Sequence, residues 1–269
     1  MRNHRLMTGT LLLLLSSPLL AFARAPETGF LDRAVTVGGV VYRYQVYVPN
    51  EWARNSKWPV ILFLHGAGER GDDGLVQTEV GIGTAVRRYS ARFPAIVVMP
   101  QCRKTRWWTE NDMQAQALAA LAQSITEFNG DKERIYLTGI SMGGYGSWKM
   151  AAENPGKFAA VAPVCGGIRP PALPSVPQPP AGDTADAYGE TAKKLGATPV
   201  WIFHGGDDKV VPRDESRKMN EALKAAGGTV KYTEYEGVGH NSWDRAYADA
   251  ELMTWMLGQR LIGKDTPHR

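Results

Sequence analysis

Gly139-Ile140-Ser141-Met142-Gly143 is a G-x-S-x-G pentapeptide, preceded by the apolar run Ile135–Thr138 and followed at once by a helical stretch, Met142 to Glu153. That setting makes Ser141 a candidate nucleophile. A turn from buried strand to helix is so sharp that the serine backbone is strained, and glycines two residues either side remove side chains that would collide. The amide of Met142 would then open a helix, where its N–H and the local dipole favour an anion.

A serine hydroxyl is a weak nucleophile until a base takes its proton and a carboxylate orients that base. The chain has five histidines. His4 and His268 lie near the ends of the sequence, while His65 and His204 each close a buried apolar run and precede glycine, a place for a structural imidazole bonding loop backbone. His240 stands instead in the polar, glycine-rich Gly237-Val238-Gly239-His240-Asn241-Ser242, downstream of the nucleophile as a general base in the order Ser, acid, His must be. The acid is expected after the strand Val200–Phe203, in His204-Gly205-Gly206-Asp207-Asp208-Lys209-Val210-Val211-Pro212. Two aspartates compete there: Asp208 fits H-G-x-x-D-x-V-V-P, which leaves Asp207 as a turn or capping residue. The second oxyanion donor is expected from the loop after Val60–Leu64, His65-Gly66-Ala67-Gly68, through the backbone N–H of Ala67 or, failing that, Gly68.

The elements that must carry these residues are legible as runs. Val40, Tyr42, Tyr44, Val46 and Val48 alternate as in a half-buried strand ending at Pro49. Val60–Leu64, Ala95–Met99, Ile135–Thr138, Ala159–Ala162 and Val200–Phe203 are nearly continuous in apolar residues, as strands buried on both faces are. Helical stretches fall at Met113–Phe128 and Met142–Glu153, and two more, Asp214–Ala226 and Asp244–Leu257, flank a strand at Val230–Tyr235. Strand alternating with helix means an α/β fold with a mostly parallel sheet of about eight strands and helices on both faces. No composition shift suggests a second domain or a large cap, so residues 24–269 read as one catalytic domain. The exception to the rhythm is Arg169 to Gly182, whose prolines exclude helix interior and central strand; it leaves the carboxyl edge of the sheet, as a rim of the site or a surface excursion.

Residues 1–23 carry Arg2 and Arg5, then apolar Leu11–Leu15 and Leu19–Phe22, then Ala21-Phe22-Ala23, the pattern of a secretory signal peptide cut near Ala23. The expectation is a secreted or periplasmic protein with no membrane anchor after cleavage. Lys and Arg number 31 against 27 Asp and Glu, a net +4 with no dense basic block, so nucleic acid is not an expected partner. No H-x-x-x-H or similar ligand spacing is present, so neither a metal nor another cofactor is expected. The sequence carries no signal for an oligomeric state.

The set His65–Gly71, Pro100-Gln101-Cys102, Gly139–Gly146, His204–Pro212 and Gly239-His240-Asn241-Ser242-Trp243 resembles the secreted α/β-hydrolases labelled predicted peptidases or prolyl-oligopeptidase-like. These are akin to family-1 carbohydrate esterases, the feruloyl and acetylxylan esterases, and to polyhydroxybutyrate depolymerases. The resemblance implies an α/β-hydrolase fold, a triad of Ser141, Asp208 and His240, and cofactor-free hydrolysis of carboxylic esters in a small-molecule or polymer substrate. The alternative is a peptidase or amidase using the same triad. Trp107, Trp108 and Trp243 are candidate substrate contacts, through aromatic faces against a sugar, aryl or polyester group, with core packing as the other reading. Cys102 and Cys165, the two cysteines, each follow a strand at the functional edge. An exported location would permit a disulfide, but in the usual strand order of this fold their strands are not neighbours.

Overall fold

The structure, a computed structural model, describes residues 27–169 and 186–261. The leader expected at 1–23 and all but the first residue of the proline-rich segment 169–182 lie outside the described residues.

The strands are β1 (Gly29–Val37), β2 (Val40–Val48), β3 (Trp58–Leu64), β4 (Ile96–Pro100), β5 (Gly130–Ile140), β6 (Ala160–Val164), β7 (Val200–Gly205) and β8 (Val230–Tyr235). They form one sheet in the order β1-β2-β4-β3-β5-β6-β7-β8, in which β2 runs antiparallel to both its neighbours and every pairing from β4 to β8 is parallel. This is the mostly parallel eight-stranded sheet expected.

Each central strand divides its apolar side chains between two cores, because successive residues point to opposite faces. Val60, Leu62, Leu64, Val98, Leu137 and Ile202 face α2 (Asn111–Glu127), α3 (Met142–Glu153), α4 (Ala187–Leu195) and α5 (Asp214–Ala225). Ile61, Phe63, Val97, Tyr136, Trp201 and Phe203 face α1 (Ile82–Tyr89), α6 (Trp243–Ala248) and α7 (Ala250–Leu257). Burial on both sides explains why these strands read as unbroken apolar runs.

One expected helix is two. The stretch 244–257 breaks at Asp249, whose backbone is extended (φ −73°, ψ 118°) and whose carboxylate accepts the Glu251 N–H at 2.8 Å, capping α7 as a new helix. The sequence reading also passed over β1, which returns into β2 through Gly38-Gly39, both at positive φ as a two-residue hairpin turn requires.

Register decides where the loops emerge. Leu64 pairs with Gly139, Ile140 with Val164, Val164 with Phe203, and Gly205 with Tyr235, so β3, β5, β6, β7 and β8 end together. The loops that hold Ala67, Ser141, Asp208 and His240 therefore leave one edge of the sheet, where open α/β folds bind ligands.

Candidate active site

Ser141 lies between β5 and α3 with φ 50° and ψ −117°, a conformation that an L-residue adopts only under constraint. The constraint is visible on both sides. Its N–H is held by the carbonyl of Val164 at 3.0 Å, and α3 begins one residue on, with the Gly144 and Tyr145 amides donating back to the Ser141 carbonyl. At Gly143 a Cβ would fall on the carbonyl oxygen of Leu64, so α3 packs against β3 closely enough to admit only glycine there.

The turn holds the Ser141 hydroxyl 2.8 Å from Nε2 of His240, whose Nδ1 lies 2.7 Å from Oδ2 of Asp208. These residues are far apart in the chain and meet through the common strand edge. Asp208 is buried, and its Oδ1 accepts the N–H groups of Val210 and Val211 at 2.8 and 2.9 Å. Burial alone would push its carboxyl up. Hydrogen bonds from His204, His240 and the Val211 backbone outweigh that and hold it well below the usual carboxylate range. An ionised carboxylate can only accept, so Nδ1 of His240 carries the proton and Nε2 presents a lone pair to Ser141. The competing Asp207 is exposed, with its N–H on the Val238 carbonyl.

Ser141 and His240 open onto a cavity of about 370 Å³ whose wall includes Ala67, Gly68 and Met142, the segments expected to supply oxyanion donors. The tryptophans separate. Trp243 lines this cavity and meets the His240 ring edge-on at 5.5 Å. Trp107 also lines it, packed edge-on against Tyr145 at 6.1 Å. Trp108 does not: it is fully buried in the core, donates its indole N–H to the His65 carbonyl at 3.0 Å and packs at 5.1 Å on the His65 ring. The expectation of a substrate contact at Trp108 is therefore corrected, since its one polar atom is already engaged inside the protein.

Sequence reasoning missed Tyr145, Val210 and Val211 as cavity residues, and Glu69 lines the cavity with them. Tyr145 had a usable signal, four residues after the serine and hence one helical turn along α3. Burial pushes both the Tyr145 phenol and the Glu69 carboxyl up. His204 has a further relationship unseen in sequence: its Nε2 lies 3.3 Å from Asp208 Oδ2. Cys102 and Cys165 are both free and buried, following β4 and β6, which β3 and β5 separate. Among the described residues, no group of three or more His, Cys, Asp or Glu is placed to hold a metal ion, and no helix is long and apolar enough to cross a membrane.

Residues 39–256 match the family model described as "Putative esterase". The chain belongs to this esterase family. Among curated relatives, an "Uncharacterized secreted protein" of Arthroderma benhamiae is 25% identical over 70% of this chain and 22% of its own length. A "Putative carboxymethylenebutenolidase" of Salmonella typhimurium is 33% identical over 41% of this chain and 37% of its own. The chain thus spans well under half the length of either. Among solved structures, this esterase-family chain is similar to a thermostable esterase at 33% identity and a TM-score of 0.73, over 86% of this chain and 63% of that one. A ferulic acid esterase (16% identity, TM-score 0.64, 85% and 97% covered) and an S-formylglutathione hydrolase of Staphylococcus aureus (17%, 0.68, 87% and 100%) share the fold. The fold is that of the α/β-hydrolases.

Proposed function

We propose that the protein hydrolyses carboxylic esters through an acyl-enzyme on Ser141. The observation that carries this reading is the unbroken chain of contacts from Ser141 Oγ through His240 to a carboxylate that stays ionised. His240 Nε2 takes the hydroxyl proton as Ser141 Oγ bonds to the ester carbonyl carbon, and Asp208 stabilises the resulting imidazolium. The backbone N–H groups of Met142 and Ala67 receive the charge that develops on the carbonyl oxygen. Collapse of the tetrahedral intermediate breaks the bond to the alcohol oxygen, which His240 protonates. A water, deprotonated by the same Nε2, then attacks the acyl-enzyme and frees the acid and Ser141. Every step uses residues of this chain and no cofactor.

The small cavity, bounded by Trp107 and Trp243, suits a short or aryl acyl group, with a sugar or other alcohol as leaving group. A leader cleaved near Ala23 would place that activity outside the cytoplasm.

The test is hydrolysis of p-nitrophenyl acetate, p-nitrophenyl butyrate, methyl ferulate and a matched p-nitroanilide by the protein and its Ser141→Ala variant. Ester turnover confined to the unsubstituted protein is expected. Equal turnover by both overturns the nucleophile, and faster cleavage of the anilide than of its matched ester overturns the ester preference.

A further inference from the structure

Asp208 has a second imidazole against it. His204 belongs to β7 and is fully buried, with Nε2 3.0 Å from the carbonyl oxygen of Val211 and 3.3 Å from Oδ2 of Asp208. That oxygen is the one His240 reaches at 2.7 Å. A carbonyl can only accept, so Nε2 of His204 carries a proton, which is bonded to Val211 and lies beside Oδ2 of Asp208. On the far side of the ring, Nδ1 lies 2.7 Å from the buried Ser216 hydroxyl of α5, which is free to act as donor to the lone pair that a neutral ring presents there.

We propose that His204 is a positioning residue of the hydrolytic reaction: its Nε2–H draws charge from Oδ2 of Asp208 and so moderates the basicity of His240. The inference rests on the reading of Ser141, His240 and Asp208 as a working triad. The two backbone donors, Val210 and Val211, go to Oδ1, whereas Oδ2 is shared by the two imidazoles. Charge on Oδ2 is what stabilises the His240 imidazolium, and a competing donor spreads that charge. Without the His204 donor, the charge on Oδ2 is left undivided toward His240, and the acid limb of the rate profile is expected to move up.

Other ionisable groups surround the pair. Tyr145 of α3 and Cys165 after β6 both feel the charge of Asp208, and burial, the larger cause, pushes both well above their ordinary values, so both are uncharged near neutrality. Asp207 and Lys209 flank Asp208 and are exposed, as is Asp244 of α6. Glu69 lies on the cavity wall. Arg213, before α5, bonds the Gly206 carbonyl, while Glu215 of α5 is engaged by the Ile168 and Arg169 amides and the Tyr188 hydroxyl. None of these groups bonds the His204 ring, whose own partners are Val211, Ser216 and Asp208.

The experiment is kcat/KM against pH, on p-nitrophenyl acetate, for the unsubstituted protein and for His204→Phe, His204→Asn and His204→Gln. Glutamine can place an amide nitrogen where Nε2 stood; phenylalanine and asparagine cannot. The acid limb is expected to rise by about one pH unit in His204→Phe and His204→Asn, the size of losing one shared, charge-assisted hydrogen bond, and to stay in place in His204→Gln. An unmoved or lowered limb in the first two overturns the proposal, and if the phenylalanine variant does not fold the asparagine variant decides. In the unsubstituted protein, nitrogen NMR of the histidines must find His204 protonated at Nε2; a proton on Nδ1 alone overturns the proposal without any variant. Ser141→Ala is assayed alongside. Full activity in that variant sinks the triad reading itself, whereas an inactive Ser141→Ala with an unmoved limb removes only the role of His204.

Discussion

Cys102 donates its backbone N–H to Nε2 of His65 at 2.9 Å, which fixes the ring proton on Nδ1, where the Gly66 carbonyl accepts it at 2.6 Å. Protonating Nε2 would break the first bond inside a fully buried site, and burial accordingly lowers the imidazole from the ordinary 6.5 to about 4. The folded state thus binds fewer protons than the unfolded chain between these values. Stability conferred by neutral His65 is complete above 6.5 and lost as pH falls toward 4, by on the order of 3 kcal/mol. Urea denaturation from pH 7 to pH 4 should show this slope. His65→Gln, whose amide oxygen can still accept from Cys102, should lack it.

Asp208 and Asp207 are adjacent and opposite in fate. Asp208→Asn should lower kcat by about 10⁴-fold, because the amide no longer enforces the productive tautomer of His240. Asp207→Asn, altering an exposed side chain, should stay within about threefold. Steady-state kinetics on one ester separates them, and a larger loss at Asp207 would reverse the assignment.

Gly143 and Gly68 make a matched pair for stability. A methyl at Gly143 meets the Leu64 carbonyl, whereas one at Gly68 meets nothing within 4 Å. Gly143→Ala should destabilise by roughly 3 kcal/mol or more through overpacking against backbone, and Gly68→Ala by less than about 0.5 kcal/mol. Denaturant midpoints compare the two.

Trp108→Ala should destabilise by about 3–5 kcal/mol, since it empties a core site and leaves the His65 carbonyl without its indole donor. Trp243→Ala should instead change the ranking of acetyl, butyryl and feruloyl esters, because that ring lines the cavity beside His240. Thermal melts and kcat/KM on the ester panel distinguish a core tryptophan from a cavity one.

Trp107 and Trp108 also show where sequence reading stops. Both follow β4 in irregular backbone, so no period assigns either a direction, and only the three-dimensional path of the loop turns one to the cavity and the other to the core. Where a period or a fixed turn exists, the reading holds: the strand, Ser141, helix succession dictates its own geometry, and the doubly buried strands announce themselves by composition. Strand β1 escaped because its edge position lets Asp32 and Arg33 interrupt the apolar pattern, although Gly38-Gly39 marked the hairpin. Helix α1 escaped because Ile82-Gly83-Thr84-Ala85-Val86 has the residue types of a strand or turn; burial of Ile82, Ala85 and Val86 against the sheet overrides that preference. The second imidazole at Asp208 was hidden for another reason: His204 and Asp208 are four residues apart across a loop, and spacing alone does not bring side chains together there.

The strand that presents His240 is the last of the sheet, paired on one side only and half-buried along most of its length, whereas Ser141 follows a strand enclosed on both sides. Transient fraying of β8 would carry off His240 and leave Ser141 in place. Loss of turnover on warming would then mark the detachment of this margin before the tryptophan-rich interior melts. The Tyr136 hydroxyl, held by the carbonyls of Leu257 and Gln259, fastens the end of α7 to the sheet centre. Strengthening that anchor is expected to raise the temperature at which the margin detaches while leaving the cavity as it is.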